Sequence, residues 1–314
     1  MIKTRVCELL NITYPIFQGG MAWIAESTLA AAVSNAGGLG IIAGMNGDPD
    51  YLRGEIRRAK TLTDRPFGVN IMLMSPYAAD AAQVVIEEGV PVVTTGAGNP
   101  GKFMPDWLAA GIRVVPVVPS VAFAKMVAKQ GAAAVIAEGC ESGGHIGELT
   151  TMTLVPQVCD VVDIPVLAAG GIADGRGVAA ALMLGAEGVQ LGTRFLVAEE
   201  CTVHENYKEK VLKAKDIDTI ATGKRLGHPV RSLKTPFSRE YFRQEYDPSV
   251  SAADLEKLGA GALRLAAKEG DLRRGCFMAG QSAGMVKKKQ TCSEIITEIF
   301  TEAEEVLARV KEKY

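Results

Sequence analysis

The sequence predicts an eight-stranded βα barrel of the TIM type, topped by a small helical lid. Three observations predict it. From Tyr14 to Phe195, short apolar runs alternate with stretches at helical spacing. The alternation recurs eight times, at roughly twenty to twenty-five residues, as a (β/α)8 barrel requires. Most runs end on glycine or a small polar residue. A doubly wound open sheet is the alternative, but no GxGxxG follows the first run and the spacing stays even throughout.

The runs are YPIFQGG (14–20), LGIIAG (39–44), FGVNIML (67–73) and VVTTGAG (92–98), followed by VVPVVPS (114–120), AVIAEG (134–139), PVLAAGG (165–171) and GVQLGTRF (188–195). Each is too short for a typical helix and lacks polar alternation, the texture of a parallel strand buried on both faces. Helices are predicted over 25–37, 49–62, 78–89, 104–111, 120–131, 153–162 and 174–185. Several end on glycine, the favoured residue past a helix terminus. Pro156 is expected in the first turn of its helix, where a missing N–H costs little.

The barrel is expected over 1–199. Residues 200–275 turn polar and hold three of the seven tyrosines, so a helical lid or substrate subdomain is expected there. The chain regains an apolar, glycine-rich texture at CFMAGQSAGMV and ends in an amphipathic helix over 294–314, so 276–314 is read as a return to the barrel.

Composition narrows the function classes. Apolar residues make up 48% and charged residues 22%, enough for a large core, and net charge is −2. No basic stripe or polybasic end invites nucleic acid or a membrane. No apolar run reaches the ~18 residues needed to span a bilayer, and no signal peptide is evident. The six cysteines are scattered without a CxxC pair, so free thiols in a reducing cytoplasm are expected. No HExxH, carboxylate cluster, GxSxG or P-loop is present. The chemistry is therefore expected to belong to a bound organic cofactor, with no metal site.

Such a barrel works at the carboxyl ends of its strands. Those ends are Gln18–Met21, Gly44, Asn70, Thr95–Gly96, Glu138–Gly139, Ala169–Gly171 and Gly192–Thr193. AAGGIADG (168–175) and LGTR (191–194) end strands seven and eight, the usual phosphate position. The backbone N–H groups of Gly170, Gly171, Gly192 and Thr193 would face an anion there. Asn70 suits a polar ring edge or a strand-end turn equally. Glu138 suits a ribityl chain or a salt bridge. Met21 and Met278 suit ring faces or core filling. His145 lies in AEGCESGGHIGELT on the active rim, in a loop with more glycine than packing needs, and is read as catalytic. His204 is expected at the surface, and His228 in an ordinary turn that could line the entrance.

YPIFQGGMAW, AGGLGII, DRPFGVN, VVTTGAGNP, VVPVVPS, AEGCESGGHIGELTTM, PVLAAGGIADGRG, GVQLGTRF, GHPVRSLK and FMAGQSAGMV together resemble the FabK-type flavin-dependent enoyl-acyl-carrier-protein reductases. The wider superfamily includes nitronate monooxygenases of the 2-nitropropane dioxygenase type. The resemblance runs from about residue 3 to 300. It implies FMN at the barrel mouth, held by Gly20, Met21, Ala22, Asn70, Glu138, Gly170, Gly171, Gly192 and Thr193, with Met278, Ala279 and Gln281 closing over the ring. It also implies NADH or NADPH as co-substrate, His145 as the catalytic histidine, a homodimer, and a response to a monovalent cation. Its substrate would be a trans-2-enoyl chain on acyl carrier protein, with Arg225, Arg231 and Lys234 as candidates for docking the acidic carrier. A nitronate monooxygenase, a flavin-sequestering binding protein and a nucleotide dehydrogenase barrel are the rival readings; the last needs a mobile cysteine loop, which is not found.

Overall fold

The computed structural model describes residues 1–44 and 48–313. Eight parallel strands form the barrel: β1 (Ile16–Gln18), β2 (Gly40–Ala43), β3 (Phe67–Met72), β4 (Val92–Gly96), β5 (Arg113–Val118), β6 (Val135–Glu138), β8 (Val166–Ala169) and β9 (Gly188–Leu191). Among the described residues the sheet runs β2-β3-β4-β5-β6-β8-β9-β1. A single parallel bridge, Phe17 to Leu39, joins β1 back to β2. The strands are buried nearly throughout, which explains their unbroken apolar runs.

The β1–β2 seam is completed by a side chain. Gln18 is fully buried; its Nε2 donates to the Ile41 carbonyl and its Oε1 accepts from the Ile41 N–H, both at 3.1 Å. A glutamine amide thus substitutes for ladder bonds that so short a strand cannot make. Inside the barrel, Phe17, Ile41, Val115, Ile136 and Leu167 form one cluster with Val6 and Leu10 of a helix not expected from the sequence, Arg5–Leu10. Arg5 Nη1 bonds the carbonyl of Asp163 at 2.8 Å, and its guanidinium pairs with Glu187. Both partners precede strands, so this helix floors the amino end.

Helices fall between the strands as predicted. One placement is corrected: the helix after β6 starts at Thr151, not 153, so Pro156 lies in its interior. The earlier start follows from the Glu141 carboxylate, which accepts from Thr151 N at 3.0 Å and caps the helix. Gly44 follows β2; Met45 to Gly47, which come next, lie outside the described residues.

After β9 the chain makes only a 3-10 turn, Phe195–Val197. The eighth helical position is filled by Cys292–Lys313, which packs on the helices Gly175–Met183 and Ser27–Asn35. Residues 198–291 are therefore inserted between the last strand and its helix. The insert is helical in part, with Glu205–Leu212, Pro236–Glu245 and Ala252–Gly259. It also holds an antiparallel hairpin, β10 (Thr219–Thr222) and β11 (Val230–Leu233), which the sequence reading of a helical lid did not include. Val230–Leu233 forms a strand because β11 finds partners on both edges. One is β10; the other is β7 (Gly144–His145), borrowed from the rim of the barrel. No helix among the described residues is long and apolar enough to cross a membrane.

Candidate active site

The predicted site residues gather at the carboxyl ends of the strands. Gly20 lies against Asn70: a Cβ on Gly20 would sit 2.2 Å from the Asn70 Cβ, so only glycine lets the two approach. Asn70 is on β3, partly open to the mouth, and its Oδ1 accepts from Thr94 Oγ1 at 3.0 Å. Met21 and Ala22 are partly exposed in the turn after β1, where the Met21 carbonyl accepts from Ile24 and Ala25. Met21 Sδ lies 3.6 Å from where a Gly192 Cβ would be, so Met21 borders the β9 turn.

Gly170 and Gly171 both take left-handed conformations, with φ of 92° and 75°. That turns the chain sharply at the end of β8. Because β8 and β9 are neighbours, Gly170–Gly171 and Gly192–Thr193 form adjacent turns. Among the described residues, the amide N–H groups of these four positions have no hydrogen-bond acceptor. Unsatisfied amides converging on one rim form an anion-receptive surface. Thr193 contributes its amide and a hydroxyl whose Oγ1 accepts from Gly280 N at 2.9 Å and whose O–H is left to donate.

Glu138 ends β6. Burial lifts its carboxyl to about 7, against a smaller opposing effect of the neighbouring Ser142 hydroxyl; no charged group enters the balance, so the salt-bridge reading of Glu138 is not what the structure shows. Near neutrality the group is thus divided between a protonated donor and a carboxylate acceptor.

His145 is not in free loop but in β7, directly opposite Val230 of β11. The Ile146 N–H adds a bond to the Pro229 carbonyl at 3.0 Å. The imidazole is exposed, yet desolvation by the surrounding protein and then the field of His228 hold it below the ordinary histidine range. His228 is an exposed residue of the hairpin turn and stands close enough to act on His145. His204 is partly exposed, and its Nδ1 accepts from Asn206 N at 3.1 Å, capping the helix Glu205–Leu212.

The closing segment meets the loop backbone to backbone. A Cβ on Gly143 would sit 2.6 Å from the Ala279 carbonyl carbon, and Gln281 N donates to the Glu141 carbonyl at 2.9 Å. Ala279 is buried and Gln281 exposed. Met278 bridges Ser232 of β11, and its carbonyl accepts from the buried Tyr207 hydroxyl at 2.7 Å. One lid strand therefore fixes both His145 and Met278.

Of the three docking candidates, Lys234 Nζ bonds the Ile217 carbonyl at 2.7 Å, and Arg225 Nη1 bonds the Asp247 carbonyl at 3.1 Å. Arg231 turns inward to the Cys140 carbonyl. Sequence reasoning missed Glu141, Thr151, Thr94 and Tyr207. Glu141 had a visible signal, an acid inside the AEGCESGGH motif; the others are ordinary residues until the fold places them.

Fold and rim define a lidded (β/α)8 barrel whose β8–β9 turns leave amides without acceptors among the described residues, with His145 on the short strand that pairs with the lid hairpin. The chain belongs to the nitronate monooxygenase family, whose model matches residues 3–302. Members of this family are FMN enzymes. Among solved structures, FabK from Thermotoga maritima is 52% identical over 100% of both chains, with a TM-score of 0.98. A nitroalkane oxidase from Streptomyces ansochromogenes is 30% identical, covers 97% of this chain and 99% of its own, and has a TM-score of 0.86. A probable nitronate monooxygenase from Staphylococcus saprophyticus is 35% identical, over 98% of this chain and 99% of that protein. A 5-hydroxy-7a-methyl-1-oxo-octahydro-1H-indene-4-carboxyl-CoA dehydrogenase from Rhodococcus jostii is 43% identical over 74% of this chain. That match spans 66% of the dehydrogenase, just under two thirds of its length. The relatives named for a reaction are oxidoreductases.

Proposed function

We propose that this protein is an FMN-dependent enoyl-acyl-carrier-protein reductase that draws electrons from NADH or NADPH. The observation that carries the reading is full-length likeness to FabK at 52% identity, against 30% for the nitroalkane oxidase.

The residues present fit FMN. The partnerless amides of Gly170, Gly171, Gly192 and Thr193 suit its phosphate. Gly20 keeps the floor of the mouth flat beside Asn70. Ser142 Oγ is buried beside Glu138 and offers a polar contact for the ribityl chain. Bound there, FMN would supply two-electron hydride chemistry between NAD(P)H and the enoyl thioester.

The protein's own groups serve the other half of the reduction. Hydride at the β-carbon places negative charge on the thioester carbonyl. His145, whose basicity burial lowers, would donate an imidazole N–H hydrogen bond to that charge, while the α-carbon takes its proton from solvent water. A donor aimed at developing charge is worth about 3–4 kcal/mol of barrier. The carrier-bound substrate would enter past the hairpin, where Arg225 and Lys234 stand as its basic contacts.

Anaerobic spectroscopy tests the reading. The purified protein should be yellow, bleach with NAD(P)H and recover colour with crotonyl thioester. His145→Ala should stay yellow and lose turnover by about 100- to 1000-fold. The family match favours one second reading, nitronate monooxygenase. Oxidation of nitroalkanes without nicotinamide, together with failure of the enoyl thioester to restore colour, would replace the first reading with the second.

A further inference from the structure

Strand β11 carries one side chain that reaches back to the barrel. Arg231 stands opposite Gly144 in the β11–β7 ladder. Its half-buried guanidinium donates through Nε to the Cys140 carbonyl at 3.0 Å and through Nη1 to Thr219 Oγ1 at 3.1 Å. Cys140 opens the loop that leaves β6 and reaches His145 five residues later. Thr219 is the first residue of β10. One planar fork thus ties the histidine loop to both strands of the lid hairpin. The Glu141 carboxylate, next along the loop, also acts electrostatically on this guanidinium.

The other ties described between this loop and the hairpin are backbone bonds: the β7–β11 ladder and the Ile146–Pro229 bond. A strand as short and glycine-containing as Gly144–His145 specifies its register weakly by backbone alone. Arg231 adds a directional side-chain contact at the far end of the loop. A lysine could not make both bonds in one fixed geometry.

We propose that Arg231 is a positioning residue: it locks the lid hairpin to Cys140, so that His145 is held over the mouth when substrate is bound. This rests on the reductase reading. It also gives Arg231 a different role from carrier docking, because both of its hydrogen bonds are spent on the protein itself.

The test uses the flavin-loaded enzyme and the variants Arg231→Ala, Arg231→Lys and Thr219→Val, with the two half-reactions followed separately under anaerobic stopped flow. Reduction by NAD(P)H should stay within about twofold of wild type in all three, while reoxidation by crotonyl thioester slows by about 30- to 100-fold in Arg231→Ala. Arg231→Lys should recover part of that loss, and Thr219→Val should lose about threefold. The loss should be equal for carrier-bound and coenzyme A-bound substrate. In Arg231→Ala the Ile146 amide should exchange hydrogen faster, while barrel-strand amides keep their protection.

A wild-type reoxidation rate in Arg231→Ala, an equal loss in both half-reactions, or a loss confined to carrier-bound substrate would each overturn the proposal. If Arg231→Ala does not fold, Thr219→Val decides, and wild-type reoxidation with wild-type Ile146 exchange there refutes it. A wild-type enzyme that ignores enoyl thioester would sink the reductase reading instead. The Ile146 exchange comparison would still judge the strut.

Discussion

Thr94 donates to Asn70, Oγ1 to Oδ1 at 3.0 Å, across the β3–β4 ladder. The bond fixes which end of the amide faces the mouth, leaving Nδ2 beside Gly20. A donor is therefore presented where the reductase reading puts the ring edge. Thr94→Val frees the amide to turn and should weaken flavin affinity by about 1 kcal/mol, roughly fivefold. Fluorescence titration of the apoprotein with FMN measures this, and unchanged affinity would remove Asn70 from the ring edge.

Glu138 gives a pH signature. Burial raises its carboxyl from the ordinary 4.5 to about 7. A carboxyl raised on folding contributes stability that is fully present below its unfolded value and is lost as pH climbs through its folded value. In flavin-free protein, wild type should lose stability relative to Glu138→Gln between about pH 4.5 and 7. Thermal melts of both proteins across that range check the sign; a difference independent of pH contradicts it.

Gly143 and Gly54 predict opposite outcomes for one substitution. A Cβ on Gly143 meets the Ala279 carbonyl carbon at 2.6 Å and Gly280 N at 2.7 Å, and backbone cannot yield as a side chain does. Gly143→Ala should destabilise by about 2 kcal/mol or more and separate the histidine loop from the closing segment. Gly54 lies within the helix Pro49–Leu62 with nothing within 4 Å. Gly54→Ala should stabilise by about 0.5–1 kcal/mol. Denaturant midpoints settle both.

Gln18→Leu tests the barrel seam. It preserves volume but strips both partners from the Ile41 backbone, which stays buried. The expected loss is about 2–4 kcal/mol, read from chemical unfolding. A near-neutral result would mean that the single bridge at Phe17–Leu39 suffices.

The barrel was legible because each of its strands is buried on both faces, which forces an unbroken apolar run, and because its turns demand glycine at positions such as Gly170 and Gly171. The rim followed from the rule that chemistry sits at strand ends. The hairpin was not legible. Val230–Leu233 mixes apolar and polar residues, and its second partner is a two-residue strand some eighty-five positions earlier, so the pairing has no local signature. For the same reason Arg231 read as a surface cation. Glu141 and Pro156 failed together: the cap that starts the helix at Thr151 comes from a side chain ten residues upstream, beyond the reach of a local capping pattern.

The helix Cys292–Lys313 fills the gap left after β9, seating Ile295, Ile296, Ile299 and Phe300 against its neighbours. During synthesis the final strand must wait, with one flank bare, while the whole insert emerges from the ribosome. The cylinder is completed by a segment made only after the whole insert, so assembly depends on a contact of long sequence separation and is slowed accordingly. Shortening the insert without disturbing its ends should hasten refolding, since the waiting interval is a property of chain length rather than of the mouth it covers.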